Sequence, residues 1–149
     1  MKSKSLKSQY IRYIDYLWGT IIVLKDRHCQ LCYRNARLEP HHFFTRKMHS
    51  NVRWDTRNGI LLCHGCHQWK AQSHSEQIRD ILIKRIGEEE FEALKARAYM
   101  TVKPDLRMWE LQLLHELQDY VKMHDDWLKM SYNKRVEWLR EVRRNASIN

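Results

Sequence analysis

Tyr10, Ile14, Leu17, Ile21 and Leu24 recur at alternating intervals of four and three residues, which predicts a helix over residues 5–24 with one apolar face. Lys7, Arg12 and Asp15 fall on its other face. Residues 25–75 break this rhythm and carry most of the turn signals, all the cysteines and most of the histidines. Within them, residues 38–44 and 60–62 are short apolar-rich runs that predict two strands, and residues 66–72 predict a helix. The helical period resumes from Ser75 with Ile78, Ile81, Leu82 and Ile86, stops at Gly87, and restarts through Phe91, Leu94 and Ala98. Gly87 thus reads as a C-cap between two short helices. After Pro104, the stripe Leu106, Trp109, Leu113, Leu117, Tyr120, Met123 and Trp127 predicts one helix to about residue 130. A last helix carries Tyr132, Val136, Leu139 and Val142.

This is the pattern of a predominantly helical α+β protein. It divides into an N-terminal amphipathic helix (1–24), a chemically rich segment (25–75) and a helical extension (76–149), with residues 100–103 as a joint. The chain has 149 residues, four glycines and two prolines, with 43% hydrophobic and 30% charged residues, which excludes disorder, collagen and a turn-rich β-barrel. Its longest apolar stretch near the start, residues 17–24, is interrupted by Gly19 and Thr20 and is too short to span a membrane. No signal-peptide cleavage site follows it, so the expectation is a cytoplasmic protein without a membrane partner.

Charge is distributed unevenly. Residues 1–70 hold 13 basic side chains against 4 acidic ones, whereas residues 71–149 hold 14 of each. The first half is therefore expected to meet a polyanion, and the second to serve as scaffold or interaction surface. The Trp- and Leu-rich stripes of the extension suit core packing, a homodimer seam or a protein partner better than a ligand site.

All four cysteines, Cys29, Cys32, Cys63 and Cys66, form two Cys-x-x-Cys pairs in the basic half. Without an oxidising compartment, paired thiolates at this spacing point to a structural tetrahedral Zn²⁺ site. The 30 residues between the pairs exceed the about 15–20 of a simple four-cysteine ribbon, so something is inserted between the knuckles. The insert contains the His41-His42 pair, the cations Arg46, Lys47, Arg53 and Arg57, and the run Asn58 to Leu62 leading into Cys63. Trp54 fits loop packing better than stacking on a base.

The order His41-His42, Asn58, Leu62-Cys63, Cys66-His67 and Lys70 resembles the HNH branch of the His-Me finger endonucleases, in the zinc-stapled form common among phage and homing enzymes. The likeness covers about residues 25–72. It implies a ββα-metal, treble-clef-like zinc module and a metal-dependent DNA endonuclease, phage-encoded and acting in the host cytoplasm. By the same resemblance, His42 is the general base, Asn58 orients the loop and holds that base, and His41 and His67 hold one catalytic divalent cation. Hydrated Mg²⁺ is the expected ion. Many members carry Asp where this chain has His41, and an imidazole there favours softer ions such as Mn²⁺, Ni²⁺ or Zn²⁺.

Phosphodiester hydrolysis needs a base for water, a divalent cation and a fixed geometry between them. Adjacent strand residues point to opposite sides, so a histidine pair can serve two roles. Arg46, Lys47, Arg53, Arg57 and Lys70 surround this segment and are candidate contacts to a DNA backbone. His28, His49, His64 and His74 fit solvent-facing or DNA-contacting positions better than ligand positions. The alternative reading is a non-catalytic zinc-finger protein that binds nucleic acid in phage recombination or packaging. It shares the zinc and the basic half, but has no need of His41, His42, Asn58 and His67 together.

Overall fold

A computed structural model describes residues 5–148. Helix α1 (Leu6–Asp26) begins at Ser5, whose hydroxyl accepts the Ser8 N–H at 3.2 Å, an N-cap of the ordinary serine kind. It ends at Arg27, which turns left-handed at φ 66° and donates its N–H to the Val23 carbonyl. The expected single apolar face holds only for the first half. From Leu17 to Leu24 every residue is buried, because the remaining elements pack on both sides of the helix. Tyr13, Ile14, Leu17, Ile21 and Ile22 are fully enclosed, and burying side chains of this kind is worth about 1.5–3 kcal/mol each.

Strands β1 (Leu38–His42) and β2 (Gly59–Cys63) form a two-stranded antiparallel sheet in which Leu38 faces Cys63 and His42 faces Gly59. Pro40 stands opposite Leu61. The Leu61 N–H is accepted by the Asp26 carboxylate at 2.8 Å and its carbonyl accepts the Gln30 N–H at 2.9 Å. Both backbone groups of Leu61 therefore point away from β1, and the donor that proline lacks is not missed. Asp26 also pairs with Arg85 at 3.0 Å, so the far edge of β2 is covered by the end of α1 and its salt bridge.

The strands differ slightly from the expected 38–44 and 60–62. Phe43 and Phe44 leave β1 to enter a loop that returns through short 3₁₀ turns at Ser50–Val52 and Thr56–Asn58. The helix expected over 66–72 is a single π-helical turn, Cys66–Lys70. Helices α2 (Ser75–Ile86) and α3 (Glu88–Ala98) meet at Gly87, which adopts φ 86° as the C-cap role demands.

Helix α4 (Leu106–Leu117) is capped by Asp105, which accepts the N–H groups of Arg107 and Met108. The continuous helix expected to residue 130 is not formed. The Leu117 carbonyl accepts from both Tyr120 and Val121, which closes the helix, and the chain passes through a 3₁₀ turn at Trp127–Lys129 into α5 (Tyr132–Ile148). This reversal lets Val121, Met123 and Trp127 pack against the α1 core together with Leu113 and Leu117, which a straight helix would carry away.

Two hydrophobic cores result. One gathers α1 with Leu113, Leu117, Trp127, Val136 and Leu139 of the C-terminal helices. The other joins Cys29, Cys63 and Cys66 with Ile78, Leu82, Phe91 and Leu94 of α2 and α3. Strand β2 is their shared wall: Leu61 points into the first, and Ile60 and Leu62 point into the second. Among the described residues no helix is long and apolar enough to cross a membrane.

Candidate active site and metal centre

The first Cys-x-x-Cys pair lies in the turn after α1, and the second joins the end of β2 to the π-helical turn. The sulfurs of Cys29, Cys32, Cys63 and Cys66 all lie within 4.8 Å of one another, and none is in a disulfide. Cys32 and Cys63 are 3.6 Å apart. A tetrahedral ion with metal–sulfur bonds of about 2.3 Å needs sulfurs about 3.8 Å apart, so the four thiols are compatible with structural zinc. Burial raises the pKa of Cys29, but backbone N–H groups of Cys63, Leu31 and Cys32 outweigh it and leave the thiol at about 7. Such N–H donors stabilise the thiolate that a metal requires. Tyr33 follows at φ 62° and donates its N–H to the Cys29 carbonyl at 2.9 Å, which closes the knuckle.

The end of β1 carries two histidines in different settings. His41 meets His67 edge to face with ring centroids 5.0 Å apart. His67 sits on the turn that begins at Cys66, so the thiol cluster fixes it relative to β1. Its Nδ1 is hydrogen-bonded to the Glu39 carboxylate, which leaves Nε2 as the lone-pair nitrogen. Glu39 and His41 are two apart on one strand and share a face. A carboxylate behind a histidine is the usual arrangement for orienting a metal ligand. His41 and His67 are thus two neighbouring imidazoles that could hold a metal ion between them. The second oxygen of Glu39 is engaged at 2.7 Å by His64 Nδ1.

His42 turns elsewhere. Its ring lies flat on Trp18 of α1, and its Nε2 donates to the Arg53 carbonyl at 2.8 Å, so Nδ1 keeps the lone pair. Burial lowers the pKa of both His41 and His42 to about 4. Each is uncharged at neutral pH, the state required of a ligand and of a base. His41, His42 and His67 open into one cleft of about 440 Å³, which Arg46 and Arg143 also line.

Asn58 is fully buried, and among the described residues its side chain makes no hydrogen bond to His42. Its side chain accepts the Phe44 N–H at 2.7 Å and donates to the carbonyls of Phe44 at 2.9 Å and Val52 at 3.0 Å. It pins the two ends of the loop, and the Arg53 carbonyl that holds His42 follows directly. With no exposed surface, the Asn58 side chain serves to fix the loop that leads into β2.

The basic residues separate into two sets. Arg46, Lys47 and Lys70 are exposed, and Arg46 lies only loosely beside Asp15 at 3.8 Å. Arg53 forms a two-pronged pair with Asp15 at 2.9 and 2.6 Å, and Arg57 is held by Asp55 and Glu90, each at 2.8 Å. These two guanidinium groups brace the loop. Trp54 is buried and donates to Asp15 at 2.9 Å, the packing role expected of it. His49 donates to the Ala98 carbonyl at 3.1 Å and is a structural tie between the loop and α3.

Sequence reading missed Glu39, Trp18 and Arg143. Glu39 carried a signal, its two-residue spacing from His41 on a predicted strand. Trp18 and Arg143 reach the cleft only through the packing of α1 and α5. No protein-family model matches the chain, and comparison with curated proteins and with solved structures likewise returned no match.

Proposed function

We propose that this protein is a metal-dependent DNA endonuclease of the HNH type. One observation carries the reading: His41, His42 and His67 share one open cleft, with His67 backed by a carboxylate and tethered to a four-thiol cluster. A zinc module built only to bind has no use for that convergence.

In this reading His42 Nδ1 takes a proton from water, while its Nε2–H stays on the Arg53 carbonyl and prevents the ring from turning. The water oxygen bonds to phosphorus, the P–O3′ bond breaks, and the departing O3′ takes up a proton from solvent, which leaves a 5′-phosphate and a 3′-hydroxyl. His41 and His67 would hold the divalent cation, and Glu39 fixes the ring of His67. When bound, that ion neutralises charge on the phosphate and on the departing oxygen. Trp18 excludes water from one face of His42 and keeps it uncharged near neutral pH.

The test is nicking of supercoiled plasmid by wild type and His42→Ala with Mg²⁺, Mn²⁺ or Ni²⁺, and with EDTA. Metal-dependent nicking lost in the variant is expected. A folded, zinc-loaded wild type that binds DNA but does not nick it with any of these metals would overturn the enzyme and favour the binding module.

A further inference from the structure

The C-terminal helix brings to the cleft a cation that no acidic side chain neutralises. Arg143 of α5 lies across α1, with its Nε on the Thr20 hydroxyl at 2.9 Å and its terminal nitrogen on the Tyr16 carbonyl at 2.7 Å. Its guanidinium sits over the Tyr16 ring, 4.9 Å from the centroid. Among the described residues no carboxylate lies within ion-pair distance of it, whereas Arg53, Arg57, Arg85, Arg107 and Arg135 each have one. Burial without a counterion lowers its pKa to about 10, yet it is still protonated at neutral pH. Two of its five N–H donors are used, which leaves three for another acceptor. An enclosed charge normally has a partner, and this one lines the same cleft as the histidines.

Gly19 makes the approach possible. A Cβ built there would stand 2.5 Å from the Arg143 terminal nitrogen and 3.2 Å from Pro40. Any side chain at that position evicts the guanidinium from the cleft wall.

The cationic surface continues beyond the histidines. A second cavity of about 490 Å³ shares Tyr16 and Arg143 with the first and is lined further by Arg140, Arg144 and one acid, Glu137. Arg140, exposed and one turn before Arg143, donates to the Tyr16 hydroxyl through two nitrogens at 3.3 and 3.1 Å. It too lacks a carboxylate within ion-pair distance among the described residues.

We propose that Arg143 and Arg140 are a phosphate clamp that grips the DNA backbone beside the bond presented to His41, His42 and His67, with the strand following the seam between α1 and α5. The identity of the anion rests on the nuclease reading; the clamp itself rests on the unpaired arginines and the continuous groove. The extension is then part of the nucleic-acid surface, contrary to the division of labour that charge counting suggested.

The experiment is anisotropy of a fluorescein-labelled DNA duplex over a salt series, without added divalent metal, for wild type, Arg140→Gln, Arg143→Gln and Gly19→Ala. Each variant is expected to bind about 10-fold more weakly at moderate salt, with the slope of log K against log salt reduced by about 1. Gly19→Ala keeps the arginine but displaces its guanidinium and crowds Pro40, so its binding should fall while circular dichroism and zinc content confirm that the fold is retained. Wild-type slopes in all three variants would overturn the clamp, as would no duplex binding by wild type, or displacement of the duplex by equally low concentrations of inorganic phosphate. Parallel plasmid nicking separates the two readings. Wild type that binds but never nicks removes the nuclease and leaves the clamp to its slopes; intact nicking with unchanged slopes removes the clamp alone.

Discussion

The indole of Trp18 lies flat against the imidazole of His42, with ring centroids 3.8 Å and planes 9° apart. The Trp18 N–H donates to the Asp55 carbonyl at 3.1 Å, so the plate behind His42 is itself locked to the loop. A residue of the first helix therefore sets the environment of a residue on the first strand. Trp18→Leu removes both stack and hydrogen bond at a site only 3% exposed, and a loss of about 2–4 kcal/mol in urea unfolding is expected. Nicking should fall at temperatures where the variant is still folded. A variant as active and as stable as wild type would deny Trp18 its part.

Glu39 predicts a different signature. Glu39→Gln keeps the shape but removes the charge that orients His67 and engages His64. The divalent-ion concentration needed for half-maximal nicking should rise about 10–100-fold, with zinc content unchanged. Titration with Mg²⁺ and Mn²⁺ distinguishes this from a fold defect, which would lower the plateau without shifting the midpoint.

Asn58 tests positioning at a distance. Asn58→Ala leaves the Phe44 N–H and the carbonyls of Phe44 and Val52 without their partner in a fully buried spot. A stability loss on the order of 3 kcal/mol follows from orphaned buried groups, together with loss of nicking as the Arg53 carbonyl drifts. Asn58→Asp should be at least as harmful, because a carboxylate repels both carbonyls.

Acid should destabilise the protein over a defined window. His41 and His42 titrate near 4 when folded, because burial disfavours their charged forms, against 6.5 for the free side chain. Between those values the unfolded chain holds more protons, so stability is complete above about pH 6.5 and declines as pH falls towards 4. Glu39, held below the usual carboxylate range chiefly by the His67 hydrogen bond, adds a further loss at lower pH. Urea midpoints measured in steps from pH 8 to 4 should be flat and then fall, and His42→Gln should flatten the decline.

Removal of the structural metal should be severe. Structural zinc sites are worth about 10–16 kcal/mol in small modules, comparable to the whole stability of a domain. Cys66→Ser is expected to lose zinc and to release His67 from β1, with loss of nicking; zinc analysis and circular dichroism on the same sample check both. Full zinc content in that variant would show that Cys66 is not a ligand.

Local patterning foretold α1, α2, α3 and α5, the Gly87 cap and the four-thiol cluster, because each depends on neighbours within a few residues. Failures came where distant residues decide. Nothing near Leu117 marks the end of α4; the reversal there is favoured by contacts of Val121, Met123 and Trp127 with α1, more than 90 residues away. Arg53 and Arg57 carry the same charge as Arg46 and Lys47, and only the approach of Asp15 and the folding back of Asp55 make them braces. Charge counting weighed the extension as neutral because its acids and bases balance, yet balance in number says nothing of pairing. Arg143 lines the cleft with no carboxylate in ion-pair distance among the described residues.

Strand β2 has an optical consequence. Five of the six tryptophans, Trp18, Trp54, Trp109, Trp127 and Trp138, sit in or against the helical core, and the sixth, Trp69, is exposed on the turn that begins at Cys66. Ile60, Leu61 and Leu62 alternate between the helical core and the thiol-bearing one. Disorder that begins at the sulfurs has only five residues of strand to cross before it reaches the indoles of the helical core. In a Trp69→Phe variant, the remaining fluorescence should therefore act as a remote gauge of whether the four thiols are loaded, read at indoles of the other core.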